Sequence, residues 1–266
     1  MFLFNFVPLL LKKIYICTMK QDVSGFFTDF NALDYIDEKE YEVIIDTVVA
    51  AVDSTAITTG YGVYVFDYYK KNVFYVSANI RKWCGLEAGE VLKTGLDAYL
   101  KYIPNDDLAM LYEINDAAFK FWNQLPPDQL HNYVNTYDFR YHDFMVNQRY
   151  NPMIIKNGKI WLAMCTVSMS SQHESGNIVM KNVADGTRYE YSRKNKNWIM
   201  LPPIFLSEKE KNIIRYSAQG MSSAEIAEIF HVRMETVRSQ KKNLFKKLEV
   251  NSMSEAIILT NNINLL

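Results

Sequence analysis

The chain has 266 residues, 29 Lys and Arg against 30 Asp and Glu, a formal charge of −1, and 49% hydrophobic residues. That length allows one or two domains with a core of ordinary size, and a near-neutral total lacks the overall basic excess expected of a nucleic-acid binder. The three cysteines, Cys17, Cys84 and Cys165, are widely spaced and odd in number, so they make neither a disulfide framework nor a metal-ligand set, and a reducing cytoplasm is the expected location.

The opening stretch MFLFNFVPLLLKKIYICTMK has an apolar run of about eleven residues broken by Asn5 and Pro8, against the ~20 needed to span a bilayer. Lys12 and Lys13 follow that run instead of preceding it, the reverse of a secretory signal. Residues 1–36 therefore read as an N-terminal extension open to disorder, with Met19 an alternative start and no stable membrane insertion expected. From Asp37 to Val52 a helix is predicted, because Tyr41, Ile44, Ile45, Val48, Val49 and Val52 follow the helical repeat behind an acidic first turn. Gly60 to Ser77 reads as two strands around Lys70-Lys71-Asn72, rich in Tyr, Val and Phe. Short helical pieces follow over Asn79 to Leu92, then a longer helix over Asn105 to Trp122 with Leu108, Leu111, Tyr112, Phe119 and Trp122 at helical spacing, closed by Pro126-Pro127. Three strands are predicted at Thr136 to Val146, Lys159 to Ser168 and Asn177 to Asn182, and TRYEYSRKNKNWIM, residues 187–200, reads as an additional hairpin. This is an α+β order.

That order, with Tyr75-Val76-Ser77, Asn79, Trp83 and Gly85, then Glu90-Val91-Leu92, and Tyr102-Ile103-Pro104 before Asp106-Asp107, resembles a PAS domain. The resemblance covers about residues 60–182 and implies an antiparallel five-stranded sheet cupping helices around a pocket for a small-molecule ligand or a partner protein. No cofactor is indicated: the long helix lacks the His a haem would need, and Cys84 lies near the reactive Cys of flavin-binding relatives without their Asn-Cys-Arg-Phe order. His131, His142, His173 and His231 are isolated, so no metal is expected.

Pro202-Pro203 is the candidate hinge between a domain at 37–200 and one at 201–266. In the second domain, Ser207 with Glu210 and Ser222 with Glu225 are capping boxes, since each Ser and Glu pair can satisfy orphan amides at a helix start. Ile213, Ile214, Ser217 and Ala218 form one face of the first helix, which Gly220 ends; Ile226, Ala227, Ile229 and Phe230 form that of the second, ending near His231. In Met234 to Leu248 the residues Val237, Leu244 and Leu248 fall at i, i+7 and i+11, leaving Arg238, Ser239, Lys242 and Lys246 on the other side. Charge concentrates here. Residues 233–247 hold six Lys and Arg against one acid, and residues 188–205 four against one, whereas residues 1–187 hold 16 against 22. A basic helix alone is as often a solvated face, but the capped helices ahead of it weigh against that.

Leu206 to Ala256, with Leu206-Ser207, Glu210, Gly220, Glu225-Ile226-Ala227, Thr236-Val237-Arg238, Asn243, Lys247-Leu248 and Glu255-Ala256, resembles the LuxR-type helix-turn-helix. The resemblance implies an all-α four-helix domain whose third helix enters the major groove of double-stranded DNA and whose fourth, Ser254 to Asn262, contributes to dimer contacts. It puts Arg238, Ser239 and Lys242 nearest the base edges and Thr236, Lys246 and Lys247 at phosphates. Two departures stand out: Arg233 where the family caps the third helix with Ser or Thr, and Gln240 at a His position. The combined reading is a cytoplasmic, homodimeric transcription regulator and not an enzyme, with Tyr41 to Val52 as a second candidate dimer face. A PAS-mediated assembly adaptor whose helical domain binds protein remains the alternative. Cys165 and His142 could meet across strands, but no oxyanion motif, phosphate loop or metal spacing accompanies them, and no receiver-type aspartate constellation is visible.

Overall fold

In the computed structural model, which describes residues 26–27, 33–83, 100–262 and 265–266, the first helix runs further than its sequence pattern predicts. Helix α1 spans Glu38–Thr59, with Asp37 accepting from the Lys39 and Glu40 amides at 3.0 and 3.2 Å. The extra length is rich in β-branched residues, which argue against a helix. The Thr55 and Thr59 hydroxyls are satisfied by donating to the carbonyls of Ala51 and Thr55, and burial offsets the cost, the packed stripe continuing from Ile45, Val48, Val49 and Val52 to Ala56.

Strands β1 (Gly62–Asp67) and β2 (Asn72–Val76) form a hairpin whose turn Asp67 organises by accepting from the Tyr69 and Lys70 amides at 2.9 and 3.0 Å. Helix α2 (Ala78–Trp83) packs so closely on β1 that a Cβ at Gly62 would lie 2.6 Å from Ile80 Cγ1. Helix α3 is Asn105–Trp122, followed by a 3-10 turn at Pro127–Asn132. Then come β3 (Tyr133–Tyr141), β4 (Phe144–Lys156), β5 (Lys159–Met169), β6 (Gly176–Asn182), β7 (Arg188–Ser192) and β8 (Asn197–Met200). All join one antiparallel sheet in the order β2-β1-β5-β4-β3-β6-β7-β8.

The predicted strand Thr136 to Val146 is a correction. It runs across a tight turn at His142-Asp143, so two strands occupy the place of one. Two features conceal β4. His142 takes φ 51° without being Gly, and Pro152 sits mid-strand, where it reads as a breaker. The sheet accommodates that Pro at an irregularity, the β4–β5 register shifting between Pro152 and Ile154.

Both faces of the sheet are covered around β1, all of whose residues are buried. Because alternate side chains point opposite ways, Val63 and Val65 meet the α1 stripe together with Phe74, Trp161 and Leu162. Tyr64 and Phe66 face the other core, with Phe139, Tyr150 and Cys165 from the sheet and Met110, Ile114 and Phe119 from α3. That core is partly polar. Tyr64 donates to Gln148 at 2.7 Å, Gln148 donates to Tyr137, and Tyr150 donates to Tyr68 at 2.7 Å. Burial pushes the Tyr68, Tyr137 and Tyr150 hydroxyls and the Cys165 thiol far up, so all stay neutral. Asp107 fixes the start of α3 to β3 by accepting from the Arg140 amide at 2.7 Å and its guanidinium at 3.0 Å, and it also accepts from Ser175 at 2.7 Å.

His142 is exposed and stacks on Tyr102 at 3.9 Å, while Cys165 is buried against Gln148. The expectations about Cys17, Cys84, Gly85, Glu90-Val91-Leu92 and residues 1–25 lie outside the described residues. Among the described residues no helix is long and apolar enough to cross a membrane. The chain divides after Met200 into two compact units, Met1–Met200 and Leu201–Leu266.

Candidate nucleic-acid interface

Among the described residues the second unit consists of four helices, the first two opened by capping boxes. Helix α4 (Glu208–Ala218) opens with the Ser207 amide donating to Glu210 at 2.7 Å and the Glu210 amide to Ser207 Oγ at 3.3 Å. Helix α5 (Ser223–Ile229) repeats this with Ser222 and Glu225 at 2.7 and 3.2 Å. The Ser222 hydroxyl and amide hold the Glu225 carboxyl below the usual range. Between them Gly220 adopts φ +84°, the left-handed region that closes a helix without a Cβ clash. Four residues link α5 to α6 (Met234–Leu248), with His231 at φ 52° and the Val232 amide returning to Ala227 O at 3.0 Å. Helix α7 is Met253–Asn262, one residue earlier than predicted. Its start carries a third Ser-x-x-Glu pair: the Glu255 amide donates to Ser252 Oγ at 3.1 Å, and Glu255 accepts from the Asn251 amide at 2.9 Å. The spacing was legible in the sequence and was missed.

Ile213, Ile214, Ile226, Ala227, Val237, Leu244, Leu248 and Ala256 form the buried core of this unit. At ~1.5–3 kcal/mol for each large side chain fully buried, that stripe decides which way α6 turns. Two expected core positions differ. Ala218 is exposed and Ile229 is 42% exposed, while Tyr216 and Val232 pack inward in their place.

The six residues expected to meet DNA, Thr236, Arg238, Ser239, Lys242, Lys246 and Lys247, are all exposed. The geometry of the helix explains why. Glu235, Lys242 and Lys246 share the i, i+7, i+11 spacing of Val237, Leu244 and Leu248 but are displaced by two positions, about 200° around the axis, and Ser239 at i+4 falls on the same row. Arg238 borders this outer stripe, whereas Thr236 and Lys247 lie on the flank. Lys247 is also engaged, its Nζ 2.8 and 2.9 Å from the Glu210 carboxylate oxygens. Burial opposes ionisation of Glu210, but Lys247 and the Ser207 cap hold its carboxyl below the usual range. Lys241, given no role by the sequence, is partly buried and desolvation pushes its pKa down. Arg233 occupies the N-cap of α6 without a side-chain hydrogen bond, and Gln240 is half-buried with its Oε1 unpartnered. Sequence reasoning gave Glu235 no role, although its place in the outer stripe follows from the same spacing.

Residues 205–260 match the family model for bacterial regulatory proteins of the luxR family. Over 56 residues the chain is 41% identical to the regulatory protein SdiA of Escherichia coli (strain K12), covering 21% of this chain and 23% of SdiA. Over 52 residues it is 42% identical to the Fimbriae Z protein of Salmonella typhimurium, covering 20% and 25%. The matched segment thus spans about a quarter of the length of these relatives. Among solved structures, a Vibrio cholerae VqmA dimer without target DNA aligns over 76% of this chain and 82% of that one, at 13% identity and a TM-score of 0.29. Escherichia coli SdiA aligns over 83% and 91%, at 17% and 0.26. The C-terminal unit carries a LuxR-family helix-turn-helix domain.

Proposed function

We propose that the protein is a DNA-binding transcription regulator in which residues 37–200, a PAS-like sensing domain, govern how residues 201–266 sit on duplex DNA. The exposed basic stripe of α6, turned away from a fully buried one within a LuxR-family domain, carries the DNA half of this reading. Arg238, Ser239 and Lys242 are assigned to base edges, where Arg and Lys pair with guanine O6 and N7. Thr236, Lys246 and Lys247 are assigned to phosphates, which position the helix without reading sequence.

The PAS-like half is supported by the five neighbouring antiparallel strands β2-β1-β5-β4-β3 with α3 packed on one face. Tyr75-Val76-Ser77 lies at the β2–α2 junction and Tyr102-Ile103-Pro104 just ahead of α3, where the resemblance asks for them. In this reading a small molecule or partner protein alters dimerisation or the placement of α6, in a cytoplasmic homodimer.

The test is duplex competition, on an operator located by genomic footprinting. Arg238→Ala and Lys242→Ala should each lower the preference for operator over random duplex by about five- to a hundredfold, with helical content unchanged. Full discrimination by both variants would remove α6 as the reader. Binding of duplex with no dependence on salt, or none at all, would favour a protein-binding role for the helical unit.

A further inference from the structure

The outer stripe of α6 contains one acid. Glu235 opens the row that continues through Ser239, Lys242 and Lys246, and it is the single acidic residue between Arg233 and Leu248. It is exposed in the first turn of the helix, and among the described residues no hydrogen bond or ion pair engages its carboxylate. A first-turn carboxylate stabilises a helix through the backbone dipole. That accounts for an acid near the start of α6 but not for its position on the stripe that faces away from the core. A carboxylate there is repelled by phosphates and lowers non-specific affinity for DNA.

What such a residue can accept is narrow. An ionised Glu has no donor, so it needs a base edge that supplies one. In the major groove guanine shows two acceptors, thymine an acceptor and a methyl group, and adenine a donor beside the N7 acceptor. Cytosine shows its N4 donor alone. Resting on the DNA-reading function proposed above, we infer that Glu235 is a specificity-determining residue that accepts a hydrogen bond from N4 of a cytosine in each half-site. Lys and Arg along the helix attract any duplex, and Glu235 penalises those without a donor at its position.

The full-length protein and its Glu235→Ala and Glu235→Gln variants are each used to select sites from a randomised duplex library, with helical content followed by circular dichroism. The wild type should enrich one cytosine position per half-site, favoured about five- to a hundredfold over other bases. Glu235→Ala should lose that preference and keep the remaining positions, with tighter binding to random duplex. Glu235→Gln should move the preference to adenine, because an amide can pair with both N6 and N7. A purely dipolar role predicts an unchanged motif in all three proteins, and the same cytosine preference in Glu235→Ala overturns the inference while leaving the DNA-reading function intact. A wild type that enriches no duplex motif overturns both.

Discussion

Lys247 Nζ lies within 2.9 Å of both Glu210 oxygens, whereas its neighbour Lys246 is exposed in the outer stripe with no such partner among the described residues. The two lysines should therefore separate in experiment. Each cation that neutralises a DNA phosphate steepens the salt dependence by ~0.9 in log–log slope. Lys246→Ala should flatten the slope by about that amount, and Lys247→Ala by less, because the charge of Lys247 is already balanced in the free protein. Lys247→Ala should instead destabilise the helical unit by about 0.2–1 kcal/mol, the range for a pair this exposed. Its pH dependence follows from Glu210, whose carboxyl is held low in the folded state. Stability linked to a depressed carboxyl is present above its unfolded pKa and is lost as pH falls through the folded one. Thermal melts should show the gap between wild type and Lys247→Ala at neutral pH and its disappearance once acid protonates Glu210 in both. A gap that persists unchanged in acid would show that Lys247 acts through packing alone.

At the scale of elements, α6 begins less well than α4 and α5, because Arg233 supplies no side-chain acceptor for its orphan amides. Arg233→Ser should recover ~1 kcal/mol, raising the transition of the helical unit by roughly 4–8 °C. It should also weaken binding to all duplexes alike, since a cation near the proposed reading face is lost. An unchanged transition would mean that tertiary packing already fixes the first turn. The capped helices were legible in sequence because each signal lies within a few residues: Ser207 and Glu210, Ser222 and Glu225, and the spacing of Val237, Leu244 and Leu248. The candidate surface was legible for the same reason, as the side opposite a buried stripe. The Lys247–Glu210 bridge was not, because it joins positions 37 residues apart. In the first unit α3 was readable to its ends, but β4 was hidden by Pro152 and by the left-handed His142. The length of α1 was hidden too, since only the packed sheet shows why a Thr-rich stretch stays helical up to Gly60.

At the scale of the whole molecule, under the DNA-reading function proposed above, a single α6 presents too little surface to choose a promoter. One recognition helix contacts about four or five base pairs, against ~10⁶ or more competing sites in a bacterial genome. Two copies related by a two-fold axis double the sequence read and match an inverted repeat whose half-sites lie about one helical turn, ~10 base pairs, apart. Of the two helices considered for the interface, α1 commits Ile45, Val48, Val49, Val52 and Ala56 to its own sheet, keeping only scattered apolar residues such as Val43 and Ile57 outside. We propose α7, the helix to which the LuxR-type resemblance assigns dimer contacts; it buries Ala256 and Thr260 within its own unit and leaves Ile258 on the surface. The expected outcome is binding as a dimer, and the spacing of a mapped operator tests it. Inserting about five base pairs between half-sites turns one of them to the opposite face of the duplex, so a rigid two-fold dimer should lose most of its affinity, while an insertion of about ten should restore part of it. Ile258→Glu should weaken binding to the intact operator while leaving affinity for an isolated half-site unchanged. Undiminished binding to the half-turn operator would mean that each copy reads DNA on its own.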